Sequence, residues 1–315
     1  MAYRLKPDQS FDSGIRRIGL EQIDRALHHL QGVGEEGDPI HETRKALKRV
    51  RALLRLVRPG LSSHDYKTEN ARYRDIGRLL AGARDRQVLL ETVNKFETMS
   101  AGRTRSAFAA ARARLTGKAG GAGTSDHDDA LARAIEGLVA GRAVMAELSF
   151  KETGFEVAIE GMERTYRRAA RAFERAYDAP DGEALHEWRK FVQHHWRQMS
   201  LLTAAWPEMA HARVAAAKEI SNMLGEDHDI EVMLSALETK AGTKVPGAAK
   251  AGRGALSQGQ QKLTHACAIE RQAELRAACH TLGLRLFAEP PGAFADRMRH
   301  YWASADPARD LPVEG

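Results

Sequence analysis

Apolar residues recur along most of this chain at intervals of three and four, with charged residues between them. No stretch alternates apolar and polar residues over more than a few positions. That is the spacing of amphipathic helices, not of strands. It predicts helices over residues 10–31, 40–58, 63–81, 84–115 (broken near Gly102) and 127–148. Further helices are predicted over 155–178, 184–205, 208–224, 226–240 and 255–287, and an aromatic-bearing helix follows Pro290. Asp38 and Pro39 read as the cap and first turn of the 40–58 helix. The glycines of "GKAGGAGTSD" (Gly117 to Asp126) and of the basic "KAGTKVPGAAKAGRG" (Lys240 to Gly254) mark loops.

The pattern occurs twice. "HETRKALKRVRALLRLVRP", from His41 to Pro59, has a counterpart in "LHEWRKFVQHHWRQMSLLTAAWP", from Leu185 to Pro207. Setting His41 on His186 matches Glu42 with Glu187, Arg44 with Arg189 and Lys45 with Lys190. It also sets Leu47, Leu54 and Val57 on Val192, Met199 and Leu202. Downstream, "DIGRLLAGARDRQVLLETV" resembles "EISNMLGEDHDIEVMLSAL", with Arg84-Asp85 on His228-Asp229 and a turn expected at Gly82 and Gly225. Upstream, "GIRRIGLEQIDRALHHL" matches "GMERTYRRAARAFERAY". An internal duplication is the direct reading. Short connections favour antiparallel neighbours. The expected fold is therefore all-α, two pseudo-symmetric four-helix bundles over residues 10–148 and 153–290.

Charge changes the picture of the 40–58 helix. Seven Lys and Arg follow His41, offset by Glu42 alone. At 100° per residue, Leu47, Val50, Leu53, Leu54 and Val57 form a core stripe. His41, Lys45, Lys48, Ala52 and Arg55 gather on a separate face, with Arg44, Arg51 and Arg58 on its border. The result is a basic ridge about 20 Å long at 1.5 Å per residue. Like charges at i, i+4 repel and destabilise a lone helix. The ridge recurs as His186, Arg189, Lys190, His194 and Arg197, flanked by Arg74, Arg78 and Arg84 in the first copy and Lys218 and His228 in the second. Arg and Lys suit phosphate oxygens. Exposed N–H groups at the helix start, where the histidine sits, also favour anions.

Three other readings compete. Acids from neighbouring helices could neutralise the ridges, since 42 Asp and Glu are available. A metal site is suggested by Asp38-x-x-His41 and Glu183-x-x-His186. Against it, Asp38 reads as a cap, Glu183 suits a helix first turn, and Lys45 and Lys48 would repel a dication. Nucleic acid needs only such a basic surface for its phosphate interactions. Single-strand binding, however, usually adds stacking, and aromatics are 6% of residues. Trp188 and Trp196 fall at core or border spacing. No Gly-x-Ser-x-Gly elbow or His-Glu-x-x-His motif occurs, and no nucleophile stands with a base.

Composition bounds the rest. The 315 residues are 43% hydrophobic and 29% charged, enough for a packed core, with a net charge of +6. Cys267 and Cys279 fall in one predicted helix and fit a reducing compartment. No apolar signal core or membrane-length apolar run occurs, so a soluble intracellular protein without cofactor is expected.

The paired His-led helices, each followed by an Arg-Asp or His-Asp turn, resemble the CHAD family of α-helical, histidine-bearing domains. The resemblance runs from about Phe11 to Phe287. It implies two bundles with a basic surface or pore between them, a non-enzymatic role in binding inorganic polyphosphate, and a cytoplasmic location at polyphosphate granules. By position the ligand residues would be His41, Arg44, Lys45, Lys48, Arg51 and Arg55, then His186, Arg189, Lys190, His194 and Arg197, with Arg74, Arg84, Lys218 and His228 beside them. Gln193, Trp196 and Ser200 stand where the first copy has Lys48, Arg51 and Arg55, which makes the second ridge weaker. Nucleic acid is the secondary partner, and no membrane is expected. Nothing encodes the triphosphate-hydrolysing barrel often fused in the family, so a stand-alone form is expected.

Overall fold

The computed structural model describes residues 3–32, 38–80, 82–116, 124–179, 181–238 and 256–305, with side chains left out of the description at 82–86 and 124–127. The predicted loops 117–126 and 240–254 lie outside the described residues, except that residues 124–126 open a helix. The described residues form α-helices and one 3-10 turn, with no strand. They are α1 (Phe11–Leu30), α2 (Pro39–Leu56), a 3-10 turn (Arg58–Gly60), α3 (Ser63–Leu79), α4 (Gly82–Met99), α5 (Gly102–Thr116) and α6 (Thr124–Ala146). Then come α7 (Phe155–Asp178), α8 (Gly182–Leu201), α9 (Pro207–Glu238), α10 (Gln258–Leu286) and α11 (Pro291–Ser304). The all-α class is as expected.

Local chemistry explains most boundaries. Asp38 caps α2, its Oδ1 accepting from the amides of Ile40 at 3.0 Å and His41 at 3.2 Å, with Pro39 in the first turn. Asp181 does the same for α8, accepting from the Ala184 amide at 2.6 Å. The break near Gly102 separates α4 from α5, where the backbone has φ of 52°, a region that favours glycine. The turn expected at Gly225 is absent, and α9 runs through it as one helix of 32 residues. A glycine inside a helix costs only about 1 kcal/mol. Leu224 and Ile230 are buried on either side of it, so packing of the flanks outweighs that cost.

The chain divides into two compact units. Unit 1 comprises residues 1–77, 132–221 and 282–315, and unit 2 comprises 78–131 and 222–281. Each unit draws on both halves of the sequence, so the units cut across the repeat boundary.

In unit 1, α1 pairs with α2 and α7 with α8, while α2 packs on both α7 and α8. The predicted stripe of α2 forms the interior: Leu47, Val50, Leu53, Leu54 and Val57 are all buried. Helices α2 and α7 approach at backbone level, because Gly161 faces the Leu56 carbonyl; a Cβ there would lie 1.8 Å from that oxygen. α11 closes on α7, and Phe294 stacks on Tyr166 at 4.3 Å.

In unit 2, Leu89, Val93, Phe96, Phe108, Ile230, Met233 and Leu275 share one apolar core. Phe96 and Phe108 stack at 5.1 Å. Arg114 donates to the Leu237 carbonyl at 2.6 Å, which satisfies an acceptor at the end of α9. Cys267 and Cys279 are free thiols on α10.

Candidate functional site

The two His-led helices, α2 and α8, belong to the same unit and touch. At their contact the Gln198 amide donates to the Ala52 carbonyl at 3.5 Å. Ala52, placed by helical spacing on the charged face, is fully buried. The correction has a simple cause: the small side chain lets α8 come down on that face, and the ridge is interrupted there.

Around the contact the cations of both helices converge. His194 of α8 has Arg55, Arg51 and Arg197 as its charged neighbours, all cations. Burial, and then those charges, hold its imidazole well below the ordinary value, so it is neutral at neutral pH. Its Nδ1 is buried with no hydrogen-bond partner. Arg55 is half-buried, and its Nε is buried without a partner. Burial lowers its pKa; Tyr66 opposes this, and Arg168 and Arg58 add to it. Arg51 donates through Nε to Asn70 Oδ1 at 3.2 Å.

The other predicted residues divide by exposure. Lys45, Lys48, Lys190, Lys218 and His41 are exposed, while Arg44, His186 and Arg189 are half-buried. Lys45 lies 3.1 Å from Glu42, whose Oε1 is 3.9 Å from His41 Nε2. Burial works against ionisation of Glu42, but the Lys45 hydrogen bond and charge, with His41 and His29, hold its carboxyl below the usual value. Lys190 and Lys218 carry no ion pair among the described residues. Arg189 donates to the Ser221 carbonyl at 3.3 Å. Arg74 is held by the adjacent Asp75 at 2.8 Å. Neutralisation by acids is therefore partial: Glu42 and Asp75 take their share, and no carboxylate is among the charged neighbours of His194 or Arg55.

Two expectations change. Arg197 points inward, 6% exposed. Its Nη1 donates to the Gln193 carbonyl at 2.7 Å, and its guanidinium lies 4.2 Å from the centre of the Trp196 ring. It supports α8 from inside and leaves the ridge. The amides at the helix starts are also spoken for, since Asp38 and Asp181 put carboxylates where an anion was expected. Arg84 and His228 belong to unit 2. Arg84 opens α4 and its side chain is outside the described set. His228 lies 3.7 Å from Glu231.

Sequence reasoning passed over Arg168 of α7. Arg168 is near enough to Arg55 to depress its pKa. The signal lies in "GMERTYRRAARAFERAY" itself, but only the packing of α7 on α2 brings it beside the ridge.

Fold and site together define an all-α protein with cations concentrated where two histidine-bearing helices meet. The CHAD domain family model matches residues 17–238, and the chain belongs to that family, whose function is polyphosphate-related and whose domain generally binds rather than catalyses. Comparison with curated proteins finds no match. No helix among the described residues is long and apolar enough to cross a membrane.

Proposed function

We propose that this protein binds inorganic polyphosphate, without transforming it, along the basic face where α2 and α8 meet. The observation that carries this reading is the convergence of Arg51 and Arg55 on His194 with no carboxylate among that histidine's charged neighbours. Clustered like charges raise the energy of the free protein, and a chain of phosphates relieves it. Exposed Lys45, Lys48, Lys190 and Lys218 extend the face, with His41, Arg44, His186 and Arg189 along it. A bare phosphate chain is favoured over nucleic acid because the tryptophans of α8 offer little for stacking. Trp188 is fully buried, and a guanidinium covers Trp196. Association with polyphosphate granules follows from such a ligand.

The test is reversal of Lys45 and Lys48 to Glu, both exposed and away from the core. Affinity for polyphosphate should fall at least tenfold, and wild-type affinity should drop steeply with added salt. A folded double variant that binds at wild-type strength refutes the site. Ready displacement of polyphosphate by RNA of equal phosphate content favours nucleic acid instead.

A further inference from the structure

We infer that a cavity between α7 and α8 in unit 1 is a second site, built for a nucleoside diphosphate. The cavity has a volume of about 250 Å³ and is lined by Arg168, Arg171 and Arg175 of α7 and by Ala184, Glu187 and Phe191 of α8.

The arginines of α7 behave differently in its two halves. In the first half, Arg164 pairs with Glu160 at 2.7 Å, and Arg167 pairs with Glu163. In the second half, Arg168, Arg171 and Arg175 are exposed and form no ion pair or side-chain hydrogen bond among the described residues. They stand at i, i+3 and i+7 on one face, so their charges repel along the helix. A helix that neutralises four residues' worth of charge pairs upstream and leaves the next three arginines open has kept those donors for something outside itself. Neighbouring guanidiniums at i, i+4 suit two linked phosphates, each presenting several oxygens to planar donors.

The opposite wall is unlike the polyphosphate face. Phe191 is half-buried, with the Arg168 guanidinium 5.9 Å from its ring centre. Ala184 is buried beside it. Glu187 lines the same cavity and has no ion pair among the described residues. An aromatic ring and a carboxylate give nothing to a bare phosphate chain, and the carboxylate repels it. A purine satisfies both: it stacks on the ring, and its exocyclic amine donates to the carboxylate. The proposal is independent of the polyphosphate reading, since Arg171, Arg175 and Phe191 are not part of the α2–α8 face. Arg168 neighbours Arg55 and is left unchanged in the test.

The test is calorimetric binding of ADP, pyrophosphate and adenosine to the full chain. ADP should bind at least tenfold more tightly than either of the other two. R171E/R175E should lose at least tenfold in ADP affinity, and F191L at least fivefold while leaving pyrophosphate unchanged. K45E/K48E should leave ADP binding as it is. No ADP binding by the wild type, equal affinity for ADP and pyrophosphate, or a folded R171E/R175E protein that binds ADP normally would each overturn the proposal.

Discussion

Replacing Gly161 by alanine tests the crossing that brings α7 to α2. The new Cβ would sit 1.8 Å from the Leu56 carbonyl oxygen and 2.6 Å from its carbon. Both atoms are backbone, so no rotamer change relieves the clash. Ordinary contact begins near 3.4 Å, so the helices must separate locally by more than 1 Å. A gap of that size forfeits a quarter to a half of each dispersion contact it opens, and overpacked cores lose about 1–3 kcal/mol. Better helix propensity returns at most about 1 kcal/mol. The expected loss is therefore about 1–2 kcal/mol. The assay is urea unfolding followed by tryptophan emission. All four tryptophans, Trp188, Trp196, Trp206 and Trp302, lie in unit 1, so the signal reports that unit alone. Gly292→Ala in α11 is the control, since it lies in the same unit and a Cβ there meets nothing within 4 Å. A G161A protein within about 0.5 kcal/mol of wild type would show that the backbones do not cross this closely.

Acid should destabilise unit 1 through buried histidines. His195 is fully buried against Tyr166, Phe287 and Phe294, neither ring nitrogen has a partner, and burial followed by the Arg213 charge hold its pKa well below the ordinary value. His194 is depressed likewise. Below pH of about 6.5 the unfolded chain takes up protons that the folded imidazoles refuse. Stability is thus intact above that value and lost as pH falls below it, by up to about 1.4 kcal/mol per pH unit for each histidine. Urea midpoints at pH 7.5 and 5.5 should differ, and less so in H195F; an equal fall in H195F refutes the assignment. Asp38→Ala removes the cap of α2 and should cost about 1 kcal/mol by the same assay, with no loss counting against the two amide hydrogen bonds.

The amino-acid pattern carried a great deal. The 3.6-residue periodicity places the helices to within a few residues, because amphipathic spacing and caps such as Asp38 are local matters. The buried stripe of α2 follows from spacing alone, and so does the concentration of charge on its other face. The family match, over residues 17–238, spans both His-led helices. Other features depend on residues distant in the chain. Helical spacing cannot say that Ala52 faces α8, that Arg197 turns inward beneath Trp196, or that Arg55 shares its surroundings with Arg168. Nor can it say whether a glycine breaks a helix: Gly102 does and Gly225 does not, and buried flanking residues decide the second case. A repeated sequence also leaves open which segments make a compact unit, and each unit here is assembled from both halves of the chain. The order of residues set which groups share a helix face, since that needs only backbone geometry. Which faces meet was decided by packing, because burial and charge are properties of neighbours that the chain brings together only on folding.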